Sequence, residues 1–340
     1  MRKITIFYPT SLYNEVVHDS EDTTRNISKE LVETSKVINA LKVSVDLAKR
    51  LPTTSKKKDF MNKIMDESTD ILMAWRGGYV LYGNSAESSI ELVWDLEDKD
   101  YEIIKNSKKK IVGKSDLTYL FNNLLNNDIE CFYGPNFESN FVEEDSALIE
   151  IEMKYMLDVL SDEEVVLDFS EEKNLGTDVW LFNSGKVTGR IVGGNLDTIY
   201  TAMKDYPKTS LNIKKGDLVL LEEVSPTYYS DKDGNFVTII GNKLDFLKEN
   251  GFFDYVGGII FGKSKKPEHH IVSKGKHVCT DEEERELLKL MLKKLDLLNV
   301  PVIANVPCSH THPMVTIPLG RMVTLDADNK TLIIHKKDID

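Results

Sequence analysis

The chain has 340 residues, with 43 Lys and Arg against 56 Asp and Glu for a formal charge of −13. At roughly 150 residues per domain the length accommodates two domains, and 41% hydrophobic with 29% charged residues excludes collagen-like, low-complexity and mostly disordered chains. The acidic balance would repel a phosphate backbone over most of the surface, which disfavours general nucleic-acid binding.

From the N-terminus, Ile4-Thr5-Ile6-Phe7-Tyr8 is an apolar run stopped at Pro9-Thr10-Ser11, the pattern of a first buried strand. A polar stretch follows from about Asp19 to Asn26, and the spacing from Ile27 to Leu51 predicts a helix. A second amphipathic stretch, Lys56 to Ser68, leads into the apolar run Ile71-Leu72-Met73-Ala74-Trp75, halted by Gly77-Gly78. Lys110 to Gly113 predicts a third strand. Asp116 to Asn126 carries apolar residues at 117, 120, 121, 124 and 125, one face of a helix. Strands alternating with helices predict an α/β domain with a parallel sheet, Rossmann or flavodoxin-like, over residues 1–165. The acidic stretch Glu143 to Asp178 contains one helix near Ala147 to Leu160 and carries the domain boundary.

Beyond it, residues 176–340 read as a β-rich domain of short apolar pieces broken by glycine. Strands are predicted at Val179–Phe182, Gly189–Val192, Leu218–Leu221, Val237–Ile240, Ile259–Phe261, Val302–Ala304, Val315–Ile317 and Thr331–Ile334, with helices near Lys243–Asn250 and Asp281–Leu298. The three cysteines, Cys131, Cys279 and Cys308, are too few and too widely spaced for a disulfide framework, which points to a reducing compartment. The opening apolar run is too brief for a signal peptide, and nowhere do 18 apolar residues run together. The expectation is a soluble cytoplasmic protein.

Gly113-Lys114-Ser115-Asp116 lies where a β-like run meets a helix-like run, and a sharp turn there can present a Ser hydroxyl beside unpaired backbone N–H groups. A helix-capping role for Ser115 is the plainer alternative. A phosphate-binding loop is excluded, because the first Gly of that motif would fall at Lys108. An α/β-hydrolase elbow is excluded as well, because Leu117 stands where it needs Gly. A Ser nucleophile needs a base and an orienting acid. Among the seven histidines, His310 and His312 precede a predicted strand, whereas His269 and His270 sit in a Lys-rich loop. Glu222 and Glu223 end the run Leu218–Leu221, and period-two alternation lets only one of them face a given site. Cys308, His310 and His312 at i, i+2 and i+4 would share one face of an extended segment, a rival metal-binding set without an evident fourth ligand.

In order and spacing, these segments resemble the LD-carboxypeptidase family of serine peptidases, which includes the microcin C immunity peptidases. The resemblance covers most of the chain. It rests on Arg76-Gly77-Gly78-Tyr79, Gly113-Lys114-Ser115-Asp116-Leu117-Thr118 and Tyr133-Gly134-Pro135. It continues through Gly189 to Leu196, Leu221-Glu222-Glu223, and His310-Thr311-His312-Pro313-Met314 with Pro318-Leu319-Gly320. It implies a Ser115, Glu222, His310 triad in a cleft between an α/β domain and a β-rich, barrel-like domain, with no cofactor or metal and a homodimeric assembly. The implied oxyanion donors are the backbone N–H groups of Gly78 and Asp116.

Arg76 is the candidate for the substrate carboxylate, with a structural ion pair at a strand end as the equal alternative. Segments 180–196 and 311–314 are closer to the microcin C immunity branch, in which an aromatic near Trp180 stacks on a nucleobase; a core role for Trp180 is the equal alternative. The implied partner is a short peptide or a peptide-nucleotide conjugate. A murein tetrapeptide substrate and a non-catalytic module that sequesters a conjugate are the alternatives. Two departures lie beside the implied site: Ser309 where Gly usually precedes the His, and a longer, more polar stretch from Val80 to Ser89.

Overall fold

A computed structural model describes residues 2–9, 43–46, 54–78, 88–142, 146–170, 178–223, 228–230, 236–264, 276–277 and 280–337. The chain divides into two compact units. The first comprises Met1–Ser161, Thr209–Leu211 and His312–Gly320; the second comprises Asp162–Lys208, Asn212–Thr311 and Arg321–Asp340.

Strands β1 (Arg2–Phe7), β2 (Val43–Asp46), β3 (Ile71–Ala74), β4 (Lys110–Gly113) and β5 (Cys131–Tyr133) of the first unit are parallel, and Ile317–Leu319 joins β5 antiparallel. Their spatial order, β2-β1-β3-β4-β5, is the flavodoxin-like doubly wound arrangement. Every residue of β3 is buried, as a strand covered on both faces requires. The described helices are α1 (Lys56–Met65), α2 (Ile90–Asp95), α3 (Asp98–Ser107), α4 (Thr118–Asn126) and α5 (Ser146–Val159). Leu120, Phe121, Leu124 and Leu125 of α4 are all buried, one apolar stripe. A reciprocal capping box between Glu97 and Asp100 opens α3.

One expectation fails in this unit. The helix read over Ile27–Leu51 is a strand at 43–46, and the rest of that range lies outside the described residues. Val43-Ser44-Val45-Asp46 alternates with period two and lies alongside β1, with Val45 opposite Ile4. The longer helical spacing around it obscured a four-residue parallel strand. Helices α2 and α3 were not anticipated.

Strands β6 (Val165–Asp168), β7 (Trp180–Asn183), β8 (Lys186–Asn195), β9 (Leu218–Glu222), β12 (Gly258–Gly262), β14 (Val302–Val306), β16 (Met322–Asp326) and β17 (Thr331–Ile334) build an eight-stranded sheet in the second unit. They are numbered along the chain, with the Ile317–Leu319 strand of the first unit as β15. The order is linear, β6-β17-β16-β8-β9-β12-β14-β7, with β8, β9, β12 and β14 parallel and the outer strands antiparallel. A three-stranded antiparallel sheet pairs β10 (Tyr228–Ser230) with β11 (Phe236–Thr238) and β13 (Lys276–His277). Helices α6 (Leu196–Asp205), α7 (Ile239–Glu249) and α8 (Asp281–Lys294) complete the described elements of eight or more residues.

The expected class, a parallel α/β sheet followed by a β-rich part, is the observed one. Two local readings shift. The strand expected at Val237–Ile240 stops at Thr238, because Ile239 and Ile240 open α7, and the strand expected at Val315–Ile317 pairs over Ile317–Leu319. Among the described residues no helix is long and apolar enough to cross a membrane.

Candidate functional site

The sharp turn expected after β4 is present. Lys114 is extended, Ser115 adopts a left-handed conformation with φ of 64°, and the short 3-10 turn Ser115–Leu117 runs directly into α4. A non-glycine residue in this region is strained by about 1–3 kcal/mol and persists only where its surroundings hold it. Here the Ser115 N–H donates to the Tyr133 hydroxyl at 2.9 Å, and Thr118 Oγ1 donates to the Ser115 carbonyl at 2.7 Å. The Lys114 N–H donates to Asn136 Oδ1 at 3.0 Å. The capping alternative fails: Lys114 occupies the cap position and no side chain closes it.

The carboxyl ends of β3 and β4 bring Gly77 against this turn. A Cβ at Gly77 would lie 3.0 Å from Ser115 Cβ and 3.5 Å from its Oγ, so the absent side chain lets the backbone reach the hydroxyl. That close approach falls one residue before Gly78, the residue singled out in the sequence. Gly78 and Arg76 are both half-buried after β3. Asp116 is buried, and its carboxylate accepts from Ser88 Oγ at 2.7 Å and from the Ser89 N–H at 2.5 Å. Burial pushes its carboxyl above the ordinary range. Its side chain therefore ties the chain at Ser88 to the turn. Tyr79 and residues 80–87 of the polar stretch lie outside the described residues.

In the second unit the alternation at the end of β9 resolves. Glu222, 1% exposed, accepts from His310 Nδ1 at 3.1 Å through Oε2 and from Asn195 Nδ2 at 2.9 Å through Oε1. Glu223 turns to Lys243 instead, at 2.7 Å, and Lys243 also reaches Asp197 at 2.8 Å. Asn195 and Glu222 are ladder partners at the parallel ends of β8 and β9. Asn195 is also the N-cap of α6, its Oδ1 accepting the Thr198 N–H at 2.9 Å. That bond fixes the amide so that Nδ2 points to Glu222, the carboxylate accepts, and His310 carries its proton on Nδ1. The basic nitrogen of the neutral ring is then Nε2, the tautomer a general base needs.

Gly262 makes room for this pair, since a Cβ there would lie 2.7 Å from Glu222 Cβ and 3.1 Å from Ser309 Cβ. Ser309, the departure noted before the His, is fully buried and its hydroxyl donates to the Lys263 carbonyl. Trp180 is 6% exposed and meets Phe182 edge-on at 6.5 Å; of the two roles open for it, core packing is the one this placement serves.

The rival metal set does not assemble. Cys308 is fully buried and its thiol is pushed well up by burial, while His310 is engaged with Glu222 and His312 with Glu152 at 2.9 Å. Among the described residues no group of three His, Cys, Asp or Glu side chains could hold a metal ion. His269, His270 and Cys279 lie outside the described residues.

Three groups escaped the sequence reading. Asn195 begins Asn-Leu-Asp-Thr, a helix start that the Gly-rich run before it disguised. Tyr133 stands in the sequence only within the Tyr133-Gly134-Pro135 segment of the resemblance, with no role assigned to it. Glu152 had a visible sign: Ile149, Met153 and Met156 are buried around it on α5, so an acid sits within an apolar stripe.

The family model described as the LD-carboxypeptidase N-terminal domain matches residues 16–134, and that of the C-terminal domain matches residues 188–325. The microcin C7 self-immunity protein MccF of Escherichia coli is 29% identical over 262 residues, 70% of this chain and 69% of that protein. A solved structure of MccF in complex with aspartyl sulfamoyl adenosine has a TM-score of 0.72 at 21% identity, covering 100% of this chain and 97% of that one. The muramoyltetrapeptide carboxypeptidase from Oxalobacter formigenes has a TM-score of 0.70 at 19% identity, covering 99% and 100%. At these identities the two structures show a shared fold.

Proposed function

Because this chain belongs to the LD-carboxypeptidase family, and so to a family of peptide-cleaving hydrolases, we propose that it is a serine-type carboxypeptidase with Ser115 as nucleophile, His310 as base and Glu222 as orienting acid. The observation that carries the reading is the buried Glu222 holding His310 Nδ1 at 3.1 Å. The left-handed Ser115 turn supports it independently.

In this reading His310 Nε2 takes the proton from Ser115 Oγ as that oxygen attacks an amide carbonyl. Glu222 stabilises the imidazolium that forms. The imidazolium returns its proton to the departing amine, and water, activated by the same ring, releases the acyl group from Ser115. Backbone N–H groups of Gly78 and Asp116 receive the oxyanion, where one lost donor costs about 2.7–4 kcal/mol. Arg76 takes the substrate carboxylate.

The substrate class is a short peptide or a peptide-nucleotide conjugate, supported by the similarity to MccF. The working form is a homodimer in a reducing, cytoplasmic setting, which suits the buried free thiols of Cys131 and Cys308. The test is a panel of an aminoacyl-nucleotide amide and an LD-linked tetrapeptide, with cleavage read by mass spectrometry. Cleavage of the nucleotide amide by the native protein and none by a folded Ser115→Ala variant is the expected result. An active Ser115→Ala protein overturns the assignment, cleavage of the tetrapeptide alone moves the substrate to murein, and binding without cleavage of either leaves a sequestering module.

A further inference from the structure

We propose that Asn140, Glu152 and His312 form a positioning relay that joins the residue before Ser115 to the residue two after His310; the role rests on the functional reading above.

All of its members lie in the first unit. Glu152 is 0% exposed on α5 and makes three contacts, two of which, from the Met314 N–H and Asn140 Nδ2, need an acceptor. His312 Nδ1 lies 2.9 Å from Oε1, the Met314 N–H donates to Oε1 at 2.8 Å, and Asn140 Nδ2 donates to Oε2 at 2.7 Å. Asn140 faces the other way with Oδ1, which accepts Lys114 Nζ at 2.8 Å, Ser139 Oγ at 2.9 Å and the Asn136 N–H at 3.2 Å.

Proton directions follow from Lys114. Its ammonium is buried and can only donate, so Asn140 Oδ1 must face it. Nδ2 then faces residue 152, which must accept there, and Met314 demands an acceptor from the other oxygen. A carboxylate accepts at both. A carboxylate 2.9 Å from His312 Nδ1 keeps a proton on that nitrogen, and this contact outweighs the longer 3.4 Å approach of Asn140 Nδ2 to it. The negative charge of Glu152 and the positive charge of Lys114, both out of water, are bridged by one amide, the arrangement in which buried charges persist.

What the relay holds is specific. Lys114 directly precedes the strained Ser115, so anchoring it at both N–H and Nζ restrains the turn that presents the hydroxyl. At the other end the chain enters the first unit at His312, two residues after the proposed base. One network therefore restrains the chain beside both reacting groups while contributing neither.

The test is a charge swap. Glu152→Gln puts an N–H against either Asn140 Nδ2 or the Met314 N–H, and Asn140→Asp sets two carboxylates face to face. The double variant Asn140→Asp/Glu152→Gln matches every donor to an acceptor again: residue 140 accepts from Lys114 and from the new amide, whose oxygen accepts from Met314 and His312. Each single variant is expected to lower kcat by about 10- to 100-fold with KM within about threefold, the size of one unsatisfied buried group. The double variant should return to within about threefold of native kcat. Single variants with native kcat, or a folded double variant no faster than the singles, overturn the proposal; where a single variant does not fold, the double variant decides.

Nitrogen-15 NMR of the histidine rings gives a readout free of turnover. His312 should carry its proton on Nδ1 in the native protein and the double variant. A native His312 protonated only on Nε2 overturns the relay. An active Ser115→Ala protein overturns only the functional reading.

Discussion

Two histidines separated by one residue are handled in the same way by different parts of the molecule. In the second unit Asn195, Glu222 and His310 form a chain of hydrogen bonds; in the first, Asn140, Glu152 and His312 form another. Each carboxylate is buried and each asparagine amide is oriented from behind, so in both the imidazole proton is placed on Nδ1. The backing differs. Asn195 is oriented by the N–H and the hydroxyl of Thr198 in the first turn of a helix, at the matched ends of two parallel strands. Asn140 is oriented by a buried ammonium. The first arrangement needs no second buried charge and stands at the end of a sheet strand, with the imidazole 19% exposed. The second compensates one buried charge with another, which suits a bracing role.

The contrast can be broken from its stronger side. Glu222→Gln should lower kcat on the order of 10³- to 10⁴-fold with KM little changed, because the amide favours the wrong imidazole tautomer. Steady-state kinetics on whichever substrate is cleaved checks this. The same change at Glu152, 10- to 100-fold by the argument above, should be the milder by at least about tenfold; equal losses would make His312 a reacting group and erase the distinction.

Asn195→Ala removes the amide behind Glu222 and the cap of α6 together. It should cost about tenfold in kcat and about 1 kcal/mol in unfolding free energy, read from kinetics and urea midpoints. The smallest effect concerns the neighbour of Glu222. Burial, the largest influence, holds the Glu223 carboxyl above its ordinary pKa although Lys243 pulls it down. A carboxyl with a folded pKa above its unfolded one binds its proton more tightly when folded. Its contribution to stability is therefore full below the unfolded value and lost as pH rises through the folded one. Removing the cation widens that interval, so Lys243→Met should lose about 1 kcal/mol more stability at pH 8 than at pH 5. An equal loss at both values would show that Glu223 does not sense Lys243.

Much of the fold was legible because long buried runs declare themselves. The runs at β1, β3 and β4 and the one-sided pattern of α4 are properties of neighbouring residues, and they appear where expected. Val43–Asp46 was not legible, since four alternating residues embedded in helical spacing become a strand only when β1 lies alongside. At the candidate site, Ser115, Glu222 and His310 stood out through residue type, position at strand ends and family resemblance. Asn195, Asn140 and Glu152 did not. Their meaning is in hydrogen bonds that span 27, 12 and 160 residues of chain, and no local pattern encodes a partner at that separation.

By itself, then, the sequence determined the longer buried strands and amphipathic helices, the parallel character of the first sheet and the residue types able to carry the chemistry, because these follow from periodicity and side-chain chemistry within a few residues. Tertiary structure alone decided that Glu222 rather than Glu223 meets His310, that Gly77 approaches Ser115, and that His312 is bound to Glu152. Each of those choices depends on strand register or on which donor lies behind an amide, and both are set only when distant segments pack and every buried polar group must find its complement.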